Sequence, residues 1–542
     1  MIPLGKALRT SNRGPWLVAA LLACFSACGE DATSSPDSPA SPDAGGKAGA
    51  GTSGAAGTSS GGRAAPGGRA GASDAAAGFD AGDGGLGAGS GDCVAHDGGA
   101  GEGGAGEGGQ NQAGRTDRDA PGGAGTGGAS DEAPIVSFTV EAKLASDIDP
   151  NAPTTVGIVT WSVNLSAITE AHIDFGLDTT YGMSAPVELG QQPYRTLLLG
   201  MKPARTYHFV VSVEDGAKTS RSSDHTLRTG APVPADVTAT PGFHVVNAAA
   251  REPGFIITSF WSGAGAEVPL ILDADGEVVW WYAGGPPAIA RARLSANGKN
   301  MWMTVPSVTT SPAGRPLQRV SMDTLDGETY ASALTTHDIT PVHDDVMAYI
   351  DYDDSKCASV FEIDPSGTPK LVFDSTPFVD QSTCHGNSLR YSAPRDEYTF
   401  SDADQDVFML DRATGAVKWR LSEQVAGGNA AWGGRTHGTY LMNDSILIYA
   451  NFGGANYRAA AIEYSLAGAE LWRFDSGLDA AYMGDVQRLP GGNTLITHAP
   501  PSEIQEVDPL GNVVLTIDGE GRNFGYAEWR TTLYGPPLDI RE

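Results

Sequence analysis

Three histidines stand in similar sequence contexts in the C-terminal half of the chain. They are His337 in TTHDITPVHDDVMAYI, His385 in CHGNSLRYSAPRDEYTF and His437 in GRTHGTYLMNDSILIYA. A neutral imidazole can act as a nucleophile or a metal ligand near pH 7, and an imidazolium can donate a proton. About ten residues separate each histidine from the next strongly apolar segment, so the three occupy matching places in a repeat. Because equivalent positions of a ring of repeats meet near its axis, we expect the three imidazoles to converge.

The repeat that must position them is a β-hairpin unit. Each copy has an apolar strand, an acidic or polar turn with Gly, and a second apolar strand, as in LILDADGEVVWWY, VFEIDPSGTPKLVF, FMLDRATGAVKWRL, AIEYSLAGAELWRF and IQEVDPLGNVVLTI. Copies recur roughly every 40 to 53 residues, the range of four-stranded propeller blades, and about six of them fit. The sequence therefore predicts an all-β chain with a six-bladed β-propeller over 236–540.

A second folded module precedes the propeller, over 133–231. Short alternating segments such as VGIVTWSVN and TYHFVVSVED are separated by turn residues, as in an antiparallel β-sandwich. Trp161 is a candidate core residue between the sheets. The stretch LGMKPARTYHFVVSVED resembles the fibronectin type III pattern, in which Tyr207 would bond to upstream backbone.

The first 132 residues have other roles. Residues 1–28 carry Lys and Arg before the short apolar run WLVAALLACFSAC, which predicts a secretory signal. Small residues before a cysteine resemble a bacterial lipobox, with Cys28 or alternatively Cys24 as the lipidated residue. Residues 29–132 are a Gly/Ala/Ser-rich tract with too few apolar side chains to fold, so we expect a disordered linker.

Charge and cysteine content narrow the function further. A formal net charge of -30 argues against nucleic acid as a partner and requires any anion site to be locally positive. Export to the cell envelope would place the cysteines where disulfides persist, and we predict that Cys357 pairs with Cys384. The partner of Cys93, which lies in the linker, stays open.

The ordered motifs of the C-terminal module resemble the bacterial arylsulfate sulfotransferase family over most of 237–534. The matching features are His337-Asp338, the HGNSL of 385–389, Thr436-His437-Gly438, YANFGG followed by Arg458, and GDVQRLPGGNTLI over 484–496. The resemblance implies a sulfuryl transfer from an aryl sulfate donor to a phenolic acceptor, with no cofactor and no nucleotide sulfate donor.

The same resemblance implies roles for individual residues. His437 would attack sulfur and carry the group as a sulfohistidine, while His385 or His337 would protonate the leaving phenolate. The expected substrate-binding residues are Asn387, Asn451, Arg435 and Arg458.

Two departures from the family pattern bear on activity. Where relatives have an arginine after the second histidine, this chain has YTFSDADQDVF, which is acidic near Asp402. A carboxylate that pointed at a bound sulfate would oppose binding. Either Arg435 or Arg458 supplies the missing cation, or sulfuryl transfer is weakened or lost. Gly438 also replaces the acidic residue that follows the third histidine in relatives.

Other functions compatible with the sequence remain. A lipid-anchored propeller without activity could bind other envelope components, with membrane contact only through its N-terminal anchor. Three histidines with Asp338 nearby could instead hold a divalent metal, although their spacing matches no metal motif. Each histidine could also be an ordinary strand-end residue with satisfied hydrogen bonds.

Overall fold

The computed structural model describes residues 136–216, 218–235, 237–238, 240–262, 267–285, 288–304, 316–330, 335–351, 357–402, 405–452 and 458–537. The predicted signal, the linker and the candidate lipidation sites Cys24 and Cys28 lie outside these ranges, as does Cys93. Within them, no helix has the length and apolar character needed to span a bilayer.

The N-terminal module consists of eight strands in two antiparallel sheets. The strands are β1 (Phe138–Leu144), β2 (Gly157–Val163), β3 (Glu170–Gly176), β4 (Met183–Pro186), β5 (Tyr194–Leu198), β6 (Thr206–Asp215), β7 (Lys218–Arg221) and β8 (His225–Arg228). One sheet has the order β1-β2-β5, and the other has β4-β3-β6, with both β7 and β8 paired to β6. Buried and more accessible residues alternate along β3 in one sheet and along the second half of β2 in the other. Each sheet therefore has an apolar face, and the two faces enclose a core.

Two aromatic residues of this module occupy the places that the sequence predicts. Trp161 is buried in the core, with its ring centroid 4.6 Å from that of Tyr194. The Tyr207 hydroxyl accepts a hydrogen bond of 2.8 Å from the backbone N–H of Lys202, five residues upstream. This bond fixes the turn that leads into β6.

The C-terminal module contains six antiparallel sheets within the described residues. Its strands are β9 (Gly242–Val245), β10 (Phe255–Ser262), β11 (Pro269–Leu272), β12 (Val278–Trp281), β13 (Arg291–Leu294), β14 (Asn300–Thr304), β15 (Leu317–Ser321), β16 (Gly327–Tyr330), β17 (Thr335–His343), β18 (Val346–Asp351), β19 (Ser359–Ile363), β20 (Lys370–Asp374), β21 (Gly386–Ser392), β22 (Glu397–Asp402), β23 (Asp406–Asp411), β24 (Val417–Arg420), β25 (Gly434–Leu441), β26 (Ser445–Phe452), β27 (Arg458–Ser465), β28 (Glu470–Asp479), β29 (Asp485–Arg488), β30 (Thr494–His498), β31 (Glu503–Val507), β32 (Val513–Asp518), β33 (Asn523–Phe524) and β34 (Glu528–Arg530). Short helical turns cover Ala145–Asp147, Leu421–Gln424 and Gly428–Trp432.

The sheets form a closed ring. Four of them are sequential four-stranded meanders, β13 to β16, β17 to β20, β21 to β24 and β25 to β28. The ring closes at its ends, because β9 pairs with β32 in the last sheet and the C-terminal β33 and β34 pair with β10 in the first. Sequential meanders closed into a ring define a β-propeller, and β34, β13, β17, β21, β25 and β29 are its innermost strands.

The turns inside the sheets follow from the repeat template. In the first sheet Gly276 donates its N–H to the carbonyl of Asp273, and its φ of 81° is a conformation that Gly adopts without steric cost. A Cβ at Gly276 would also lie 2.4 Å from the ring of Phe243 on β9. The Asp-x-x-Gly element therefore reverses the chain, and the absence of a Cβ at Gly276 leaves room for Phe243 on β9.

Charged residues join the innermost strands at the centre of the ring. The fully buried Arg291 on β13 donates to Asp338 on β17 and to Asp485 on β29, each over 2.7 Å. Arg390 on β21 reaches the same Asp485 oxygen at 2.5 Å. Asp338 also accepts the backbone N–H of Leu389, 3.0 Å away. We call Arg291, Asp338, Asp485 and Arg390 the central ion network, and it connects four sheets.

The sandwich packs against the first two sheets of the propeller. One hydrophobic cluster contains Val156 and Ile158 from the sandwich together with Ile271 and Met301 from the propeller. The hydroxyl of Tyr534 accepts the N–H of Leu199 and donates to the carbonyl of Leu197, and the Thr155 hydroxyl donates to the carbonyl of Val279. The two modules are therefore joined by a shared hydrophobic cluster and by hydrogen bonds around it.

Neutralising Asp485 tests the importance of the central ion network. We expect Asp485→Asn to lower the free energy of unfolding by about 3–5 kcal/mol, because it leaves two buried guanidinium groups without their shared carboxylate. The control is Asp275→Asn. Asp275 also contacts a cation, Lys202, but its side chain is 73% exposed, so the expected loss is below about 1 kcal/mol. Equal losses for the two variants in denaturant titrations would contradict the role of the network.

Candidate active site

The three histidines meet near the propeller axis. His337 lies in β17, His385 directly precedes β21 and His437 lies in β25, so they come from three consecutive sheets. The ring centroid of His337 is 4.9 Å from that of His385 and 6.2 Å from that of His437. These distances place all three imidazoles around one small volume, which we call the histidine site.

β-Bulges in the innermost strands direct two of the three histidines, His337 and His437. The pairing shifts between Thr336 and Ile339 in β17, between Gly386 and Ser388 in β21, and between Thr436 and Gly438 in β25. The residues that fall in the bulges are His337 with Asp338, Asn387, and His437. A bulge leaves a residue outside the ladder and re-aims its side chain. At His337 the backbone is left-handed, with a φ of 45°.

Asn451 fixes the ring of His437. Both hydrogens of its amide face carbonyl oxygens, those of Ala480 at 2.8 Å and Met483 at 3.3 Å. Its Oδ1 must therefore accept a hydrogen bond from His437 Nδ1, 2.7 Å away. This arrangement leaves the lone pair on Nε2 of His437. Asn451 is thus engaged in positioning His437, which differs from the substrate contact that the sequence suggests for it.

Burial keeps two of the imidazoles neutral at pH 7. It lowers the pKa of His385 to about 4, with a further contribution from the positive charge of Arg435. Burial likewise lowers the pKa of His437 to about 3, assisted by His385 and Arg435 and opposed by the hydrogen bond to Asn451. A neutral imidazole with a free Nε2 is the form in which histidine acts as a nucleophile.

The two arginines expected near the site are placed differently. Arg435 lies two residues before His437 on the same strand, half-buried, and its charge acts on both His385 and His437. Arg458 begins β27, the third strand of that sheet, and is exposed. Of the two, Arg435 is the one whose charge acts on the imidazoles.

Asp402 contacts the backbone of the His385 segment. It is buried at the end of β22, and its Oδ2 accepts the backbone N–H of His385 over 2.9 Å. The carboxylate thus helps to hold the His385 segment. The same segment is held by a disulfide between Cys384 and Cys357, whose Cα atoms are 5.5 Å apart, the pairing predicted from the sequence.

Asn387 bridges two blades beside the site. Its Nδ2 donates to the carbonyl of Thr436 over 3.4 Å, and the hydroxyl of Tyr526 contacts its backbone oxygen at 3.5 Å. The side chain is fully buried, and its Oδ1 has no hydrogen-bond partner among the described residues. Asn387 therefore contacts the backbone of the residue before His437, and its side-chain amide lies between the two strands.

Aromatic residues near the histidine site were not anticipated from the sequence. Trp261 lies at a bulge in β10 with its ring centroid 6.1 Å from that of Tyr482, and both pack on a cluster that contains Met483 and Tyr526. The carbonyl of Met483 is one of those that hold Asn451, so the cluster adjoins the support of His437. The available signal was the position of Tyr482, two residues before the GDVQR motif.

Comparisons with known proteins leave the family open. No protein-family model matches the chain, and no curated protein matches it. Among solved structures, the chain is similar to the β-propeller domain of Cps50 (Swd1) from Myceliophteria thermophila, at 11% identity and a TM-score of 0.34, over 53% of this chain and 88% of that one. Since a TM-score this low carries no weight, the propeller description rests on the sheet topology. Fold and site together define the class: a β-propeller in which three imidazoles meet near the axis.

The lowered histidine pKa values predict acid sensitivity. Between about pH 6.5 and pH 4 an unfolded chain binds protons at His385 and His437, whereas the folded chain does not. The free energy of unfolding should therefore fall as the pH falls through this window, by up to about 1.4 kcal/mol per pH unit for each of the two histidines.

Unfolding of wild type and His437→Asn at several pH values measures this contribution. The variant should lose stability less steeply below about pH 6.5. Comparison at pH 8, where both histidines are neutral, separates titration from packing effects. Parallel pH profiles would mean that His437 is not held neutral by the fold.

Proposed function

We propose that this chain is an arylsulfate sulfotransferase-like enzyme that transfers a sulfuryl group from an aryl sulfate to a phenol. In this proposal the six sheets are the blades of a six-bladed propeller, preceded by a fibronectin III-like sandwich. The observation that carries it is the meeting of His337, His385 and His437 at 4.9 and 6.2 Å. The ordered motifs described above add support.

In the first step His437 would act as the nucleophile. Its Nε2 lone pair attacks sulfur, an N–S bond forms, and the bond from sulfur to the aryl oxygen breaks with its electron pair leaving on the phenolate. Asn451 keeps the proton on Nδ1 and so maintains the reactive tautomer. No separate base is needed, because the imidazole is already neutral.

Proton transfer would fall to His385 or His337. Burial disfavours the imidazolium of His385 in the free protein, but a bound sulfate ester brings a negative charge that favours it. That proton passes to the departing phenolate oxygen. In the second step the acceptor phenol returns a proton to the same imidazole, its oxygen attacks sulfur, and the N–S bond breaks to restore His437.

Arg435 would stabilise charge on the sulfuryl oxygens. Fixed cations in a water-poor site stabilise developing charge without reorganisation, and the position of Arg435 beside two of the imidazoles suits this role. Asp402 would act on the site indirectly, by holding the backbone of His385. Trp261 and Tyr482 offer aromatic surface on which an aryl ring can pack.

The proposed location follows from the first 132 residues. Export through the signal of 1–28 and lipidation at Cys28 or Cys24 would tether the enzyme to a bacterial envelope membrane through the linker of 29–132. The Cys357–Cys384 disulfide is compatible with such an oxidising compartment.

A chromogenic transfer assay tests the reaction. With 4-nitrophenyl sulfate and excess phenol, wild type should release nitrophenolate and form phenyl sulfate, and His437→Ala should lower the rate by about 10³-fold or more because it removes the nucleophile. His343→Ala is the control, since that histidine lies at the far end of β17 with its side chain 55% exposed. Equal inertness of wild type and His437→Ala over a panel of aryl sulfates would favour the binding-module alternative.

Neutralising each arginine separately identifies the cation used. Arg435→Gln should lower the transfer rate by about 10²-fold, the usual effect of losing one group that stabilises transition-state charge. Arg458→Gln should change it less than about threefold, because its side chain is exposed on the third strand. The reverse order of effects would assign the role to Arg458.

A metal site remains the other chemical alternative for the three histidines. The described residues contain no group of three or more His, Cys, Asp or Glu arranged to hold a metal ion. Elemental analysis of purified protein distinguishes the alternatives, since a stoichiometric transition metal that His337→Ala removes would replace sulfuryl transfer as the proposal.

A further inference from the structure

A cavity of about 90 Å³ lies at the opposite end of the innermost strands from the histidine site. The bulges of β17, β21 and β25 lie near the starts of these strands, beside the histidine site. The cavity is lined by residues further along the same strands, including Thr340, Arg390 and Tyr440. A cavity of this size holds several waters or one small ion. No role in the proposed transfer reaction involves it.

Two buried guanidinium groups line this cavity. Arg293 is 2% exposed and Arg390 is 8% exposed. Nε and Nη2 of Arg293 and Nε of Arg390 have no hydrogen-bond partners among the described residues. Donors buried without partners cost free energy, and for charged groups the cost is larger, so these nitrogens favour a ligand that accepts hydrogen bonds.

The charge around the cavity favours an anion. Its ionisable lining consists of Arg293, Arg390 and Glu528. Glu528 lies 3.9 Å from Arg293, beyond hydrogen-bond distance, and one of its carboxylate oxygens has no partner among the described residues. Burial raises the pKa of Glu528, and the charges of Arg530, Arg390 and Arg291 oppose that shift. The lining is therefore positive, in a chain whose formal net charge is -30.

Asp485 compensates Arg390 only in part. It accepts from Arg390 at 2.5 Å, but it also accepts from Arg291 at 2.7 Å, so one carboxylate serves two guanidinium groups. Burial lowers the pKa of Arg390 despite the proximity of Asp485, and repulsion from Arg291 contributes. A second anion beside Arg390 would relieve this repulsion.

We propose that the cavity between Arg293 and Arg390 binds a small oxyanion. The planar guanidinium fork matches the two oxygens of a carboxylate or of a tetrahedral anion such as phosphate. The lining also includes Ser392 and Thr399, which carry hydroxyl groups, and that of Thr399 already contacts the Thr439 hydroxyl at 3.1 Å. The anion is either a free inorganic ion or the carboxylate of a small metabolite, and the site is independent of sulfuryl transfer.

Isothermal titration of the full chain with inorganic phosphate tests the proposal. Wild type should bind one phosphate, and His437→Ala should bind it equally well, because the histidine site lies at the other end of the strands. Arg293→Met should weaken binding at least tenfold, while Arg293→Lys, which keeps the charge, should retain part of it. Competition by acetate identifies a carboxylate as a ligand, and its absence identifies a tetrahedral anion.

A second variant keeps the test valid if Arg293→Met does not fold. Ala393→Phe places a large side chain at the exposed rim of the cavity without removing an arginine, and it should also weaken phosphate binding at least tenfold. The proposal is overturned if wild type binds no phosphate. It is equally overturned if Ala393→Phe leaves binding intact while His437→Ala abolishes it, since the ion would then occupy the histidine site.

Discussion

The structure depends on a small group of charges buried where the innermost strands meet. Arg291 joins Asp338 on one neighbouring strand to Asp485 on a more distant one, and Arg390 reaches Asp485 from a fourth sheet. Each pairing fixes the height of one blade relative to another, which apolar packing between blades does not specify by itself. Ions buried at this depth are costly unless each is matched, so the network tolerates only one arrangement of the strands.

The geometry of the histidine site is a consequence of that arrangement. Asp338 belongs to the central ion network and directly follows His337 in the same β-bulge. The ion pair of Asp338 therefore also holds the bulge that positions the imidazole of His337. Asp338 additionally accepts the N–H of Leu389, which sets the offset between β17 and β21. The imidazoles are therefore positioned by backbone features at the strand starts, and Asn451 and Asp402 complete their orientation.

The repeated hairpin template was sufficient to predict an all-β ring, because Asp-x-x-Gly turns and alternating apolar residues specify meanders locally. The matching positions of His337, His385 and His437 in that repeat were likewise sufficient to expect that they meet. The roles of Asn451 and Asp402 could not be predicted from the sequence. An amide or carboxylate in a strand gives the same sequence pattern whether it contacts a ligand or another group of the protein. Only the pairing register shows which partner each one has.

The burial of charged residues in the innermost strands could not be predicted from the sequence, for a different reason. Arg291 and Arg293 alternate with Ala292 and Leu294, a pattern that ordinarily indicates a strand with one solvated face. In an innermost strand of a closed ring both faces are enclosed, so the same pattern buries the charges instead. Their partners come from sheets far away in sequence, and no local rule predicts such pairs.

Ring closure by both ends of the propeller has a consequence for how the protein is damaged. Strand β9 completes the last sheet, and β33 with β34 complete the first. Each terminal segment is therefore paired with strands that are remote from it in sequence. Detachment of either segment by proteolytic nicking would uncover a row of unpaired backbone amides and carbonyls, the kind of edge on which chains self-associate. Resistance to aggregation is thus concentrated in a few residues at the margins of the module.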